Sequence, residues 1–529
     1  MLNIYTPAEI ERITDATIGR PELIAQEDDT RRAALLERRA AFVANVGEQV
    51  AREVAALCGS SKPKVLVFAG DGLCGAYALE SASELHARGI PARVILFNIG
   101  GNMLTDDARA ARDRFIAAVG EEYLDEVINV GPNSFVMPQI NRRTIVVDGI
   151  FGSEYGKPLR GGYQAVARHI NEMNARVVAI DLPSGMTTDL SVAMVNRNIV
   201  HAELTLTLVG PTLAFFMPEN AELIGRWKTL GVPFDRKTME EVRCSMRLVD
   251  AKAVRQVLPR RLSTDSKADL GKALIFAGSY GMLGAAVLAT RAATRSGCGK
   301  VTCHGPRCGF FVMQTSVPSA MFVTDGADID IREFSDPDDA DGIAIGPGIG
   351  RSDATAEGLG IFLKSCFASQ KPVVLDADAL NIIAANPELL DFIPPRSILT
   401  PHAGEFDRLF GAQCSHGMRT LMALKMAERY RVIIMLKGHN TLTVWPDRSI
   451  LVNSSGTEAL ATAGSGDVLT GLTAGLLAQN MAPELAAVSA AYIHGIAGRI
   501  AARVNGVAGT TAEDIADAIG TAIDSIEKE

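Results

Sequence analysis

Ala463-Gly464-Ser465-Gly466-Asp467 sets small residues and one carboxylate directly ahead of an apolar-periodic helix through Leu472, Leu476 and Leu477. Small residues let main-chain N–H groups approach an anion, and a helix start adds a favourable partial charge at the same place. Asp467, at the end of that loop, is the candidate base: it could accept the proton of a hydroxyl as that hydroxyl attacks phosphorus. Taken alone, the five residues fit a helix cap in a tight turn equally well. Four further loops change the balance. Lys437-Gly438-His439-Asn440-Thr441 follows the run Val432–Leu436 and offers a cation, a flexible glycine and polar tips suited to a phosphate or adenine site, or simply a surface turn. Leu399-Thr400-Pro401-His402-Ala403-Gly404-Glu405 carries a His and a Glu, and Leu375-Asp376-Ala377-Asp378 carries two carboxylates. Gly346-Pro347-Gly348-Ile349-Gly350 is a glycine loop of the kind that is weak evidence by itself. Each loop follows an apolar run, so five of them are expected to converge at one edge of one sheet.

The elements that must hold these loops are short β-branched runs separated by helical patterns. In the second half they are Ala273–Ala277, Lys300–Cys303, Gly342–Ile345, Pro372–Leu375, Ser397–Leu399, Val432–Leu436 and Thr441–Val444. The first half repeats the pattern with Lys64–Phe68, Ala92–Phe97, Thr144–Asp148, Arg176–Asp181 and Leu204–Leu208, and with a helix over Ala76–Arg88. Continuous apolar strands alternating with helices predict parallel sheets covered on both faces, with ligands at the carboxyl-end loops. The expected organisation is two doubly wound α/β domains, at 1–235 and 251–529, joined by a charged linker at 236–250.

The 529 residues are long enough for two such cores, and 47% hydrophobic content excludes a disordered chain. With 52 Lys and Arg against 61 Asp and Glu there is no counterion-release drive toward nucleic acid. Charges throughout Met1–Pro21 exclude a secretory signal, and the longest uncharged stretch, Ala273–Thr290, is broken by glycines, so no membrane association and a cytoplasmic location are expected. The eight cysteines form no CxxC pair and read as reduced thiols.

Gly278-Ser279-Tyr280-Gly281-Met282-Leu283-Gly284-Ala285-Ala286, the GPGIG loop, LDADALN, LTPHAGEF, LKGHNT and ATAGSGDVLTGL stand in the order seen in the ADP/ATP-dependent NAD(P)H-hydrate dehydratases. The second half, from about Arg261 to Ile523, resembles that family. The resemblance implies a ribokinase-like fold and nucleotide-driven removal of water from the S epimer of hydrated NADH or NADPH. It also implies Asp467 as the base, and Lys437, Gly438, His439, Asn440, Thr441, Gly464, Ser465 and Gly466 as the nucleotide site. Ala285, Gly348, His402 and Asp467 would then touch the hydrated dinucleotide, and Mg²⁺ would accompany ADP or ATP. Two motifs depart from the family: Ser266-Lys267-Ala268 stands for its HKG, and Thr457-Glu458-Ala459-Leu460 for its Asn-Pro-Gly-Met.

The first half resembles the NAD(P)H-hydrate epimerase domain fused ahead of the dehydratase in the bifunctional repair enzymes. The resemblance is carried by Leu35–Arg39, by Val147-Asp148-Gly149-Ile150-Phe151-Gly152-Ser153 and by Ile180-Asp181-Leu182-Pro183-Ser184-Gly185. It implies a Rossmann-like fold, potassium held by Asp148 and Ser184, a substrate loop of Gly152, Ser153, Glu154, Tyr155, Gly156, Lys157 and Pro158, and a substrate contact at Asp181. Where the family has Asn-Asn-Gly-Gly-Asp-Gly, the chain has Leu73-Cys74-Gly75-Ala76-Tyr77-Ala78. Cys74 thus replaces an amide oxygen that should hold a hard cation, and Tyr77 replaces a carboxylate. A further mismatch is Gly210-Pro211-Thr212, where a lysine is expected. Epimerisation is therefore expected to be weak or absent, with Cys74 as a substitute catalytic thiol the lesser alternative. The partners expected are a small-molecule substrate and further copies of the chain in a homo-oligomer. Two other functions stay open at this point: a ribokinase-like small-molecule kinase, and a non-catalytic nucleotide-binding scaffold.

Overall fold

The computed structural model describes residues 1–59, 63–129, 137–190, 198–334 and 340–528. The chain divides into two compact units, Ile4–Cys244 and Ser245–Glu529, with Met1–Asn3 belonging to the second. Both are doubly wound α/β units. The strands, in chain order, are β1 (Leu2–Ile4), β2 (Val65–Ala69), β3 (Ala92–Phe97), β4 (Leu124–Val127), β5 (Ile145–Gly149), β6 (Arg176–Ile180), β7 (Leu204–Thr207) and β8 (Arg226–Thr229). Next come β9 (Met246–Val249), β10 (Lys272–Phe276), β11 (Lys300–Gly305), β12 (Met321–Thr324), β13 (Gly342–Ile345), β14 (Val374–Leu375), β15 (Ile398–Leu399), β16 (Ile433–Leu436), β17 (Leu442–Val444) and β18 (Ile450–Asn453).

The first unit holds a seven-stranded sheet in the order β4-β3-β2-β5-β6-β7-β8, parallel throughout. The chain winds outward from β2 to β4 and then resumes on the other side at β5, so β2/β5 is the switch point where such sheets open a ligand crevice. The two strand ends touch there: Gly70 donates its N–H to the Gly149 carbonyl at 3.0 Å. A Cβ on Gly70 would lie 1.8 Å from the Ile150 carbonyl oxygen, so only glycine fits this approach.

The second unit's sheet runs β1-β9-β18-β17-β16-β15-β14-β13-β10-β11-β12. It is parallel from β12 to β16, with β17 antiparallel to both of its neighbours. Its switch point is β10/β13, where the Gly278 N–H donates to the Pro347 carbonyl at 2.8 Å. The strands β13 to β16 are buried along their whole length, which is why they read as unbroken apolar runs. Helices Leu283–Arg295, Ser465–Ala478, Pro483–Asn505 and Ala512–Lys528 pack together over the sheet. Among the described residues, Pro483–Asn505 alone is long and apolar enough to cross a bilayer, and most of it is buried within the unit.

The segment expected as a linker, 236–250, is ordered structure instead. Arg236–Glu241 is a helix whose N-cap, Asp235, accepts the Thr238 N–H, and it belongs to the first unit. Met246–Val249 is strand β9 of the second unit, with Met246 and Val249 buried. Charged residues interleaved with apolar ones gave this stretch a linker's composition; the helix buries none of its residues, whereas β9 buries its two ends. The unit border lies between Cys244 and Ser245 rather than at 235. The helix expected from Ala76 begins three residues earlier, at Leu73, so Cys74 and Tyr77 sit in its first turns.

Candidate active site

Loops at the carboxyl ends of β10, β13, β14, β15 and β16, neighbours in the sheet, meet around the start of the Ser465–Ala478 helix. Gly464 makes the turn into that helix at φ +85°, and a Cβ there would lie 2.4 Å from Leu288 Cδ1. Conformation and space both demand glycine. The main-chain N–H groups of Gly466 and Asp467 are first-turn donors without a carbonyl partner in the helix. They form the anion-accepting end that the sequence suggested.

Around this turn the side chains form one charged network. Lys437, at the end of β16, brings its Nζ to 2.8 Å from Asp376 Oδ1 and 3.9 Å from Glu405 Oε2. A Cβ on Gly466 would be 3.4 Å from the same Nζ, so the amine rests on the bare glycine. Asp376, 1% exposed, gives its other oxygen, Oδ2, to the Thr470 hydroxyl at 2.6 Å. Asp467 makes no hydrogen bond or ion pair among the described residues. Burial, reinforced by the nearby charge of Asp376 and opposed by Lys437, pushes the Asp467 carboxyl up to about 7. For Lys437, burial works against the charge, but Asp376 and Glu405 outweigh it and hold the ammonium above its ordinary range. The site therefore contains a half-buried carboxyl group that ionises near neutrality beside a fixed cation and unpaired main-chain donors.

The other expected residues fall into place around it unevenly. Lys437 to Thr441 form the hairpin between β16 and β17, with Gly438 and His439 exposed. His402 is an exposed N-cap: its Nδ1 accepts the N–H groups of Gly404 and Glu405 at 3.0 and 3.3 Å, and Glu405 Oε2 accepts the His402 N–H. Ala285 and Gly348 meet at the β10/β13 switch point, where a Cβ on Gly348 would lie 3.2 Å from that of Ala285. Ser465 is buried, and its Oγ lies 3.2 Å from Nε2 of His494. Burial and the Lys437 charge push that imidazole down to about 4, so it is neutral. His494 escaped the sequence reading because it comes from a helix 29 residues downstream with no local motif. Asp376 was visible in LDADALN, but its role as the partner of Lys437 depends on the pairing of β14, β15 and β16. The Ser266-Lys267-Ala268 departure precedes β10, at the sheet edge opposite these loops.

In the first unit, Asp148 is the penultimate residue of β5 and is fully buried. Its Oδ1 accepts the Ser184 hydroxyl at 2.6 Å and its Oδ2 the Ser184 N–H at 2.8 Å. Burial pushes its carboxyl up to about 6 against those two hydrogen bonds. Asp181, at φ +66°, accepts the Ser153 N–H at 2.7 Å. The Glu154 carboxyl turns back toward it: a Cβ on Gly152 would lie 2.6 Å from Glu154 Oε2 and 2.9 Å from Asp181 Oδ2. Glu154 is an exposed residue overall, but its carboxyl is turned inward, where desolvation and the Asp181 charge push it up to about 7. Tyr155 stacks on Phe151 at 4.0 Å between ring centroids, while Lys157 is exposed and Gly156 and Pro158 complete the loop. A cavity of about 650 Å³ opens beside these residues, lined also by Leu73, Tyr77 and Phe234. The Cys74 thiol is buried against the Ile180 carbonyl at 3.6 Å, and burial drives its pKa well up.

The chain matches two family models. One is described as NAD(P)H-hydrate dehydratase and covers residues 273–521, and the other, described as YjeF-related protein N-terminus, covers residues 39–214. The bifunctional NAD(P)H-hydrate repair enzyme Nnr of Moorella thermoacetica is 32% identical over 454 residues, 82% of this chain and 82% of its own. The chain belongs to the bifunctional NAD(P)H-hydrate repair enzymes. The enzyme of that name from Thermofilum pendens is 30% identical over 88% of this chain and 90% of its own. Among solved structures, the ADP/ATP-dependent NAD(P)H-hydrate dehydratase from Bacillus subtilis, co-crystallized with ATP/Mg²⁺, is 30% identical. It covers 53% of this chain and 98% of that one, with a TM-score of 0.45. The dehydratase match of this repair enzyme contains Ala285, Gly348, His402, Lys437 and Asp467, and the N-terminal match contains Asp148, Asp181 and Ser184.

Proposed function

We propose that the second unit dehydrates the S epimer of hydrated NADH and NADPH at the expense of ADP or ATP, with Asp467 as the base. The observation that carries this reading is an unpaired carboxyl group, ionising near pH 7, beside the open N–H donors of the Ser465–Ala478 helix. Hydroxide is a poor leaving group, so the hydrate must be activated. Asp467 takes the proton of the hydrate hydroxyl as its oxygen attacks the terminal phosphorus. A P–O bond to the substrate forms as the bond to the departing nucleotide breaks. The phosphorylated oxygen then leaves with the C–O electrons as the ring nitrogen supplies its lone pair, and loss of a neighbouring ring proton restores the dihydropyridine. The unpaired amides of Gly466 and Asp467 and the ammonium of Lys437 stabilise the moving negative charge. Gly438, His439, Asn440, Thr441, Gly464 and Ser465 complete the nucleotide site in this reading, and Ala285, Gly348 and His402 face the hydrated dinucleotide.

No group of three or more His, Cys, Asp or Glu side chains able to hold a metal occurs among the described residues. Mg²⁺ is therefore expected to arrive on the nucleotide phosphates, where it shields their charge.

The first unit keeps the epimerase fold, and we propose that its epimerase activity is weak or lost. A potassium ion would need oxygen donors with free lone pairs. Asp148 and Ser184, bonded to each other, still offer oxygens, but the third position is the buried thiol of Cys74, a poor ligand for a hard cation. Tyr77 fills its place with a ring packed against Phe42. With its thiol held protonated, Cys74 does not serve as a nucleophile. The expected setting is the cytosol, consistent with eight free cysteines. A homo-oligomer is expected, and edge strand β12, with Met321, Val323 and neighbouring Phe311 exposed, offers a surface for a second copy.

Supplying purified R and S hydrates separately, with and without ADP or ATP and Mg²⁺, tests the whole reading. Return of the NADH absorbance band from the S hydrate alone, and only with nucleotide, supports it. A stable phosphorylated product in place of NADH would make the chain a kinase.

A further inference from the structure

Asp376 is the most deeply buried charge near the candidate base, yet the dehydration chemistry does not use it. It stands at the N-cap of the Ala377–Ala385 helix but makes no side-chain cap there. Its two oxygens are given instead to Lys437 Nζ at 2.8 Å and to the Thr470 hydroxyl at 2.6 Å. Thr470 lies three residues after Asp467, on the same face of the helix. One carboxylate therefore ties the end of β16 to the helix that carries Asp467.

We infer that Asp376 is a positioning residue that engages the Lys437 ammonium and so keeps it from pairing with Asp467. A lysine resting on Gly466, beside a carboxylate with no partner of its own, would otherwise quench that carboxylate as a base. With Asp376 in place the cation is held at the rim of the anion-accepting turn, where it serves the phosphate, and Asp467 stays free for the hydroxyl proton. The charged and titratable groups around Asp467 are Asp376 and Asp378 after β14, Glu405 in the helix after β15, Lys437 after β16, and the neutral His494 beyond Ser465. Asp376 is the only one of them that binds the lysine within 3 Å.

The inference rests on Asp467 as the base, and two readouts separate the failure of one from the failure of the other. The first is the pH profile of kcat/KM for nucleotide-driven dehydration of the S hydrate, in wild type, Asp376→Asn and Asp376→Glu. Loss of the Asp376 charge frees Lys437 toward Asp467, so D376N is expected to move the acidic limb down by about one pH unit and to lower kcat. D376E keeps the charge and returns the limb toward wild type. A D376N enzyme that is less stable but keeps the wild-type limb would overturn the inference and leave Asp376 a structural ion pair. The second readout needs no turnover: the pH dependence of the Tm difference made by Asp467→Asn, measured with and without D376N. Its midpoint is expected to fall in the D376N background, and an unchanged midpoint sinks the inference even if dehydration is never seen. Should D376N not accumulate as folded protein, Thr470→Val loosens the same carboxylate without removing a charge. A severalfold loss of kcat is then expected, and an unaltered kcat would count against the inference.

Discussion

Lys437 Nζ lies 2.8 Å from Asp376 Oδ1, while Asp467, one residue past the glycine on which that amine rests, has no partner among the described residues. The cation and the proposed base are neighbours that do not pair. In the proposed reaction this separation would let one turn of chain both attract phosphate and accept a proton, and the experiments below test it.

Asp467→Asn removes the base and keeps the turn. Turnover of the S hydrate is expected to fall by about 10²–10⁴-fold. ADP and ATP should still bind in a calorimetric titration, because the amides of the turn and Lys437 are untouched. A variant that loses nucleotide binding in step with turnover would assign Asp467 to the nucleotide site instead.

The pH dependence follows from an Asp467 carboxyl pushed up to about 7. A base must be ionised, so kcat/KM is expected to fall with decreasing pH below about 7. Stability runs the other way. Between the ordinary aspartate range and about 7 the folded state holds a proton that the unfolded state has released, so this group's contribution falls as pH rises through that window. Asp467→Asn removes the effect, and its Tm advantage over wild type should grow from pH 5 to pH 8. A difference in Tm that is flat with pH would contradict the raised carboxyl.

Gly464→Ala places a side chain at φ +85° and drives it against Leu288. Strain alone should cost about 1–2 kcal/mol, read as a lower denaturation midpoint, and the displaced turn should raise KM for nucleotide. Unchanged KM would separate the anion site from this turn.

In the first unit, the R hydrate is expected to persist when the protein is supplied with an R and S mixture, ADP or ATP and Mg²⁺, whether or not potassium is added. Consumption of both epimers at comparable rates would show that Asp148, Asp181 and Glu154 suffice without the missing amide. Under native conditions an alkylating reagent should label exposed Cys414 and spare Cys74, whose thiol is buried and held protonated. Rapid labelling of Cys74 would reopen it as a reactive group.

The central strands of both sheets were legible in the sequence because burial on both faces leaves continuous apolar runs, as in Val65–Ala69 and Ile433–Leu436. Strands β8 and β12 were not. Each is a sheet edge with exposed positions along its length, so Arg226–Thr229 and Met321–Thr324 carry no such run. Strand β9 was read as part of a linker for a different reason: it is an inner strand, but only four residues long, and Arg247 is exposed between the buried Met246 and Val249. At the site, the loop glycines and Asp467 announced themselves through local spacing. The bonds from Asp376 to Lys437 and Thr470 did not, since they join residues 61 and 94 positions apart and exist only once the strands are ordered. His402 carries a bond its motif did not announce: its Nδ1 caps its own helix.

Strand β1 lies in the second unit's sheet, next to β9, although some 240 residues of the other unit separate the two in sequence. A dehydratase fragment excised at Ser245 would therefore be missing a border strand, and the N–H and C=O groups of Met246–Val249 would be bare to any passing chain. Such a fragment should self-associate on storage, and supplying a peptide of sequence Leu2–Ile4 with its flanks should restore a well-behaved particle.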